Sequence, residues 1–316
     1  MGAPVSAGIL GLMVVNTLLP LLALWWLIAP QRAGRLEWAA KTLLILAYLF
    51  CVTYASVWLV PSVYAPSAYF VLYVIAVGLS WLSVRQRPWP LASGGARARV
   101  GLYLAFAVVF VGIGLYGRAG REAPDADTIA LDFPLRDGRF YVASGGSNRA
   151  VNYHFDAPQR YRGQSLGLDI VAFDRLGQRA AGLKPADPEA YTVFGLPVYA
   201  PCDGRVKHVV DGLPNQSPPD ADAAHLAGNH VVLACGAAEI VLAHLRERSI
   251  EVKAGDLVQR GQRLGAVGNS GNSSEPHLHL HAQRAGDGDP LLDREPLAMT
   301  FGGRSLSRGI VRLEAQ

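Results

Sequence analysis

The stretch Gly268-Asn269-Ser270-Gly271-Asn272-Ser273-Ser274-Glu275-Pro276-His277-Leu278-His279-Leu280-His281 sets a run of turn formers directly before an alternation of imidazole and leucine. On a β-strand, residues two apart point to one face, so His277, His279 and His281 share a side and Leu278 and Leu280 face the other. A single histidine in such a place reads as structural. Three imidazoles on one face, launched from a Gly/Asn-rich turn, point instead to metal ligation or proton handling.

Outward from that strand, the chain between residue 131 and its end breaks into short β-branched or alternating runs punctuated by Gly, Pro, Asn and Asp. The runs are Arg139–Ala143, Leu168–Ala172, Gly204–Val210, His230–Ala234, Glu239–Leu245, Arg263–Val267 and His277–Ala282. Turn signals at this density predict a mainly antiparallel β-sheet domain with few helices. Pro214 to Ala227 is expected to be a long loop at the rim of a cleft. All eight histidines fall between His154 and His281. Asp169, in Leu168-Asp-Ile-Val-Ala, is a carboxylate among apolar residues; a metal would serve as its partner, and a solvated strand edge is the alternative. His244 is likewise a polar ring in the apolar Val241-Leu-Ala-His-Leu. His208, His225 and His230 read as structural or surface residues. Cys202 and Cys235 stand near the ends of two expected strands and could close a disulfide in an oxidising compartment, with two buried thiols the alternative.

The first part of the chain obeys a different pattern. Four charge-free apolar runs, at about 5–29, 43–63, 66–84 and 100–117, each approach or exceed the ~20 residues a helix needs to cross a bilayer. They lack the polar stripe of a soluble core helix. Pro20 would break a soluble helix, but a packed membrane helix can absorb it. Trp25, Trp26, Trp58, Tyr64, Trp81 and Trp89 lie near the run ends, the headgroup zone favoured by amphipathic rings. Met1 to Gly8 contain no Lys or Arg, so the first run is expected to be a retained span and not a cleaved signal. Domain boundaries are therefore placed at 1–117 for an all-α four-helix transmembrane region, 118–130 for a polar linker and 131–316 for the β-rich domain.

Composition agrees with two joined objects. Of 316 residues, 51% are hydrophobic and only 17% charged, which disfavours a disordered chain and an ordinary cytosolic enzyme. The mean hydropathy is +0.21. The net charge of +4 divides into +7 over residues 1–120, where Glu37 is the lone acid, and −3 over the remainder. The basic excess belongs to the membrane region, so nucleic acid is not an expected partner. Arg32, Arg35 and Lys41 follow the first run, and Arg85, Arg87, Arg97 and Arg99 separate the third from the fourth. The positive-inside rule places these loops in the cytoplasm, and with four spans the β-rich domain faces the extracytoplasmic side. Arg118 and Arg121 pull weakly against this, ahead of Glu122, Asp125 and Asp127.

Five blocks occur in order: Gly195-Leu-Pro-Val-Tyr-Ala-Pro-Cys-Asp-Gly-Arg-Val, Gly228-Asn-His-Val-Val, Leu242-Ala-His-Leu, Val252-Lys-Ala-Gly-Asp-Leu-Val-Gln-Arg-Gly-Gln-Arg-Leu-Gly, and Gly268-Asn-Ser-Gly-Asn with Pro276-His-Leu-His. With Gly167-Leu-Asp ahead of them, they resemble the lysostaphin-type (LytM-type) zinc metallopeptidases over roughly residues 165–282. The resemblance implies the β-sheet groove of the duplicated hybrid motif fold, a zinc cofactor and cleavage of peptide bonds in peptidoglycan. It implies Asp169 and His279 as zinc ligands, with His277 and His244 as catalytic histidines beside the metal. The family has a further His four residues before the Asp, and that position here is Ser165. A hydroxyl substitutes poorly for imidazole on zinc. Either His154, the nearest histidine upstream, completes the ligand set from a strand beside that of Asp169, or the site is degenerate. His281 either orients His279 or packs, and Glu275, placed before Pro276 in a turn, is not poised as a base. The expected protein is a zinc metalloendopeptidase anchored in a bacterial-type cytoplasmic membrane, with peptidoglycan peptide as substrate, the lipid bilayer as surroundings and any protein partner unspecified. The alternative is an inactive module of the same fold that activates other wall hydrolases.

Overall fold

The structure is a computed structural model describing residues 7–29, 34–89, 93–289, 291 and 294–311. Residues Ala7–Ala119 form a helical unit, and a separate unit begins at Gly120. The helical unit contains α1 (Ala7–Met13), α2 (Leu19–Ile28), α3 (Arg35–Ala55), α4 (Ala65–Val84) and α5 (Gly94–Ala119). Between α1 and α2 the chain makes one π-helical turn, Val14–Leu18, in which the Leu19 amide donates to the Val14 carbonyl. The turn stands immediately before Pro20, whose missing N–H leaves the Asn16 carbonyl without its usual helical donor. Asn16 is fully buried there; its amide donates to the Val57 carbonyl at 2.7 Å, and Ser56 Oγ donates to its Oδ1 at 2.7 Å.

Four helical segments among the described residues are long and apolar enough to cross a membrane: Leu10–Ile28, Arg35–Ala55, Ala65–Val84 and Gly94–Ala119. The second differs from the expected 43–63. It starts at Arg35 because its charged residues find partners within the helical unit. Arg35 donates to the Arg87 carbonyl, Arg99 Nε and Nη2 grip the Glu37 carboxylate at 2.5 and 3.1 Å, and Lys41 Nζ reaches the Trp26 carbonyl at 3.0 Å. The helix ends at Ala55, and the chain through Val60-Pro61 is irregular. Similarly, α5 begins at Gly94, ahead of the expected 100, and takes in Arg97 and Arg99. Helices α3 and α5 approach closely enough that a Cβ on Gly117 would stand 2.8 Å from the Tyr54 carbonyl oxygen, the use of small residues typical of packed membrane helices. Arg32 lies outside the described residues.

In the second unit the strands are β1 (Thr128–Leu131), β2 (Phe140–Ser144), β3 (Leu168–Ala172), β4 (Pro197–Tyr199), β5 (Gly204–Val210), β6 (Asn229–Cys235), β7 (Ala238–Leu245), β8 (Leu257–Val258), β9 (Arg263–Ala266), β10 (Leu278–Arg284), β11 (Pro296–Phe301), β12 (Arg304–Ser305) and β13 (Gly309–Ile310). The large sheet runs β13-β2-β3-β10-β7-β6-β5-β8, with β11 beside β10 and in turn pairing β1 and β12. All its pairings are antiparallel except β1 with β11, and β4 pairs with β9 in a small second sheet. The expected strand His277–Ala282 begins one residue later, after Pro276, and continues to Arg284. The stretch expected as a linker is helical to Ala119 and extended from Thr128, leaving 120–127 irregular.

Side-chain alternation divides the sheet into two faces. Ile170, Ile240, Leu242, Leu278 and Leu280 are all fully buried in one core. The intervening Asp169, Val241, Ala243, His279 and His281 project from the opposite face. Cys202 and Cys235, with Cα atoms 6.3 Å apart, form a disulfide that joins the start of β5 to the end of β6.

Candidate metal centre

Strand register delivers the site. His279 on β10 lies opposite Asp169 on β3 and opposite Ala243 on β7. Directly opposed residues place their Cβ atoms about 5 Å apart, so a carboxylate and an imidazole in that register meet. His279 Nδ1 is 2.9 Å from Asp169 Oδ1. Gly167, just before β3, leaves room for this ring: a Cβ there would stand 3.0 Å from His279 Cε1.

His154 arrives by another route. Ser144, at the end of β2, also pairs with Asp169 through a bulge in the ladder. Its hydroxyl accepts from the Tyr153 amide at 2.9 Å. The fully buried Asn152 then pins the following turn: its Oδ1 accepts from the His154 amide at 2.9 Å, and its Nδ2 donates to the Gly146 and Ser165 carbonyls at 2.9 and 3.0 Å. His154 Nε2 consequently stands 2.9 Å from both Asp169 oxygens. His154 was expected on a strand beside β3. That strand is β2, and His154 lies in the turn after it, because the chain must bend back over the sheet to bring the ring to the groove face. Ser165 lies in the 3-10 segment Gln159–Leu166, buried, and contributes its carbonyl to Asn152.

Ligand atoms of His154, Asp169 and His279 all lie within 4.8 Å of one another. Two imidazole nitrogens and one carboxylate are the donor types zinc takes in a catalytic site, where three protein ligands leave a fourth position open. The residues therefore fit a divalent cation. Burial pushes the Asp169 carboxyl up, but His154 and His277 beside it and the hydrogen bonds from His154 and His279 outweigh this and hold it well below the usual carboxylate range. Burial lowers His154, yet the adjoining Asp169 carboxylate reverses the balance and its imidazole is raised.

Two further rings border this cluster. His277 Nε2 is 3.6 Å from Asp169 Oδ1, and its Nδ1 is 2.9 Å from the Glu275 carbonyl. The His244 ring centroid is 4.7 Å from that of His277, and its Nδ1 is 2.9 Å from the Ser270 carbonyl. A carbonyl accepts only, so each neutral ring carries its proton on Nδ1 and keeps its Nε2 lone pair free. Burial, then the neighbouring His277 and His279, depress His244 well below an ordinary histidine. His244 also adopts φ 62°, a left-handed conformation costly for a residue with a Cβ. Glu275, for its part, is held by Arg179, whose Nη2 lies 2.8 Å from its Oε2.

The structure thus gathers His154, Asp169, His244, His277, His279 and His281 at one place. The other histidines stay outside it: His225 pairs with Asp222 at 2.6 Å, and the His208 and His230 rings face each other at 5.4 Å on β5 and β6. Beside the cluster is a cavity of about 180 Å³, bordered also by Tyr161, Gln164, Leu226, Ala227, Asn272 and Leu291. Leu226 and Ala227 end the long loop expected at a cleft rim. Tyr161 and Gln164 carried no sequence signal beyond interrupting the path from His154 to Asp169. Asn152 had one, as an Asn two residues before a candidate ligand, a spacing suited to an Asx turn.

The sheet groove carries an imidazole–carboxylate cluster whose donor types are those of a zinc site. Residues 189–290 match the model of Peptidase family M23. The chain is 29% identical over 148 residues to the peptidoglycan DD-endopeptidase ShyB of Vibrio cholerae, covering 47% of this chain and 31% of that one. It is 30% identical over 145 residues to ShyA of the same organism, also named a peptidoglycan DD-endopeptidase, covering 46% of this chain and 30% of the relative. The chain thus spans under a third of the length of these relatives. Among solved structures, a putative M23 peptidase from Pseudomonas aeruginosa aligns at 22% identity over 58% of this chain and 53% of its own, with a TM-score of 0.29. His244, His277 and His279 lie inside the matched segment, whereas Asp169 and His154 precede it and join them through the sheet.

Proposed function

We propose that this protein is a membrane-anchored zinc metalloendopeptidase that hydrolyses peptide bonds in peptidoglycan stems or cross-links outside the cytoplasmic membrane. The observation that carries the reading is the convergence of His154 and His279 on Asp169, each 2.9 Å from it and all three with ligand atoms within 4.8 Å of one another, flanked by His244 and His277. His154 Nε2, Asp169 and His279 Nδ1 would hold the zinc. When bound, zinc supplies a Lewis acid that polarises the scissile carbonyl and lowers the pKa of an adjoining water toward ~7.

The chain's own residues account for the rest. Neutral His244 offers its Nε2 as a proton acceptor, because its Nδ1 proton is committed to the Ser270 carbonyl. His277, fixed the same way on the Glu275 carbonyl, presents Nε2 beside Asp169 and can carry a proton toward the leaving amine or the developing oxyanion. Arg179 holds Glu275, so the carboxylate closest in sequence to these histidines serves as a brace and not as the base.

The names of the two Vibrio relatives, both peptidoglycan DD-endopeptidases, support peptidoglycan as the substrate class. Four long apolar helices support the anchor, and the basic residues between α2 and α3 and between α4 and α5 support cytoplasmic loops with the catalytic domain outside. The non-catalytic alternative drew on Ser165 standing where the family has a histidine, and the approach of His154 to Asp169 speaks against it. Full-length protein in detergent, incubated with purified sacculi beside a His279→Ala control, tests the reading. Release of peptide-cleaved muropeptides by the wild type alone is expected, and no release would refute it.

A further inference from the structure

A line of polar side chains leads away from the candidate metal centre along the groove face. His279 Nε2 lies 2.9 Å from His281 Nδ1, and His281 Nε2 lies 3.3 Å from Gln283 Oε1. Gln283 Nε2 lies 3.1 Å from Glu239 Oε2. Positions 279, 281 and 283 are successive same-face residues of β10, and Glu239 on β7 is the cross-strand partner of Gln283. Glu239 is fully buried, and Lys207 donates to its Oε1. The Arg294 Nε stands 3.8 Å from its Oε2.

The order of donors along this line is fixed from its far end. A carboxylate accepts only, so the Gln283 amide must turn its NH2 toward Glu239 and its oxygen toward His281. His281 must then donate from Nε2 and accept at Nδ1. That requirement places a proton on His279 Nε2 and leaves His279 Nδ1 with a bare lone pair. Nδ1 faces an Asp169 oxygen at 2.9 Å, so with this order two acceptors confront each other, an arrangement that a shared cation relieves; without one, a proton must take its place, as in the hydrogen bond to Asp169 described above.

We propose that Glu239 and Gln283 are positioning residues that set the tautomer of His279, holding its Nδ1 lone pair ready for the divalent cation it would share with Asp169 and His154. This rests on the zinc reading above. Partners of this kind behind a ligating histidine change metal affinity by roughly 10–100-fold when removed.

The test is the zinc dissociation constant, measured by chelator competition on full-length protein in detergent. In Glu239→Gln, the shape of the side chain is kept. Lys207 can only donate, and it touches Glu239 more closely than Arg294 does, so the new amide oxygen turns to Lys207. Its NH2 then faces Gln283, the Gln283 amide flips and His279 is left protonated on Nδ1. A weakening of about 10–100-fold is expected. Exchanging the two residues, as Glu239→Gln with Gln283→Glu, restores the donor order with no change in net charge, and affinity is expected to return to within about threefold of wild type. A purely packing role would not produce that rescue. Should Glu239→Gln fail to fold, Gln283→Met carries the test, with a loss of about tenfold or more expected. Wild-type affinity in the foldable single variant, or no recovery in the exchange, overturns the proposal while leaving the zinc reading intact. Absence of zinc binding by the wild type overturns both.

Discussion

Replacing Cys202 and Cys235 together by serine should lower the melting temperature of the β unit by roughly 10 °C. The bridge closes a chain segment with a sequence separation of 33 residues. In the chain-entropy account, a loop of that size removes about 12 cal/mol/K from the unfolded ensemble, or about 4 kcal/mol at 25 °C. For a domain of this size each kcal/mol moves the midpoint by about 2–4 °C, which gives the ~10 °C. The position favours the full effect, since the bridge links neighbouring strands β5 and β6 that are already paired and the folded state need not move to form it. The assay is intrinsic-fluorescence melting of full-length protein in detergent, wild type against double variant, with free thiols titrated first. The same shift should follow reduction of the wild type. A shift below about 3 °C in protein whose two cysteines are oxidised would refute the reasoning. Finding them reduced in protein taken from native membranes would count against the extracytoplasmic placement, because such a bond persists in an oxidising compartment.

His244 adopts φ 62°, so His244→Gly should be about 1 kcal/mol more stable than His244→Ala in chemical denaturation while both lose hydrolysis; equal stabilities would contradict the strain. Asn152→Ala should reduce zinc affinity by at least tenfold and cost about 2 kcal/mol, since it frees the His154 turn and leaves buried carbonyls without a donor; calorimetry and chelator competition read both. Metal-free protein should lose stability as pH falls from 7.5 toward 5. His244, His279 and His281 are all depressed by burial, so the unfolded chain takes up their protons near the ordinary value of 6.5 before the folded one does. His154, raised by Asp169, acts in the opposite sense: its contribution is full below 6.5 and lost at higher pH. Below 6.5 His154 is protonated in both states and drops out, so these three histidines leave three protons more on the unfolded side, a limiting slope of about 4 kcal/mol per pH unit. Stability that is flat or rising on acidification over that range would be inconsistent.

Much of this site could be read from the residues because its chemistry is periodic. His277-x-His279-x-His281 announces its own face once a strand is assumed, and Asp169 between apolar neighbours announces the need of a partner. What one strand cannot disclose is which strands lie beside it. Sequence order separates Asp169 from His279 by 110 positions, and only the β3–β10 register makes them neighbours. His154 was harder, since a turn residue has no periodicity; its placement depends on Asn152 and Ser144, whose roles emerge only from hydrogen bonds across the fold. The line from His279 to Glu239 was equally hidden, because Gln283 and Glu239 look like ordinary polar residues at strand ends. In the helical unit, hydropathy located the long apolar helices but misjudged where α3 starts and ends. A rule that excludes charge from a helix has no means of knowing that Glu37 has Arg99 and Lys41 has the Trp26 carbonyl.

The most direct measurement is the zinc content of full-length protein beside His154→Ala and His279→Ala variants, each shown by melting to be folded. The account predicts close to one zinc per wild-type chain and nearly none in either variant. Full zinc retention in folded His154→Ala would contradict it, removing that imidazole from the ligand set and the convergence on which the function rests.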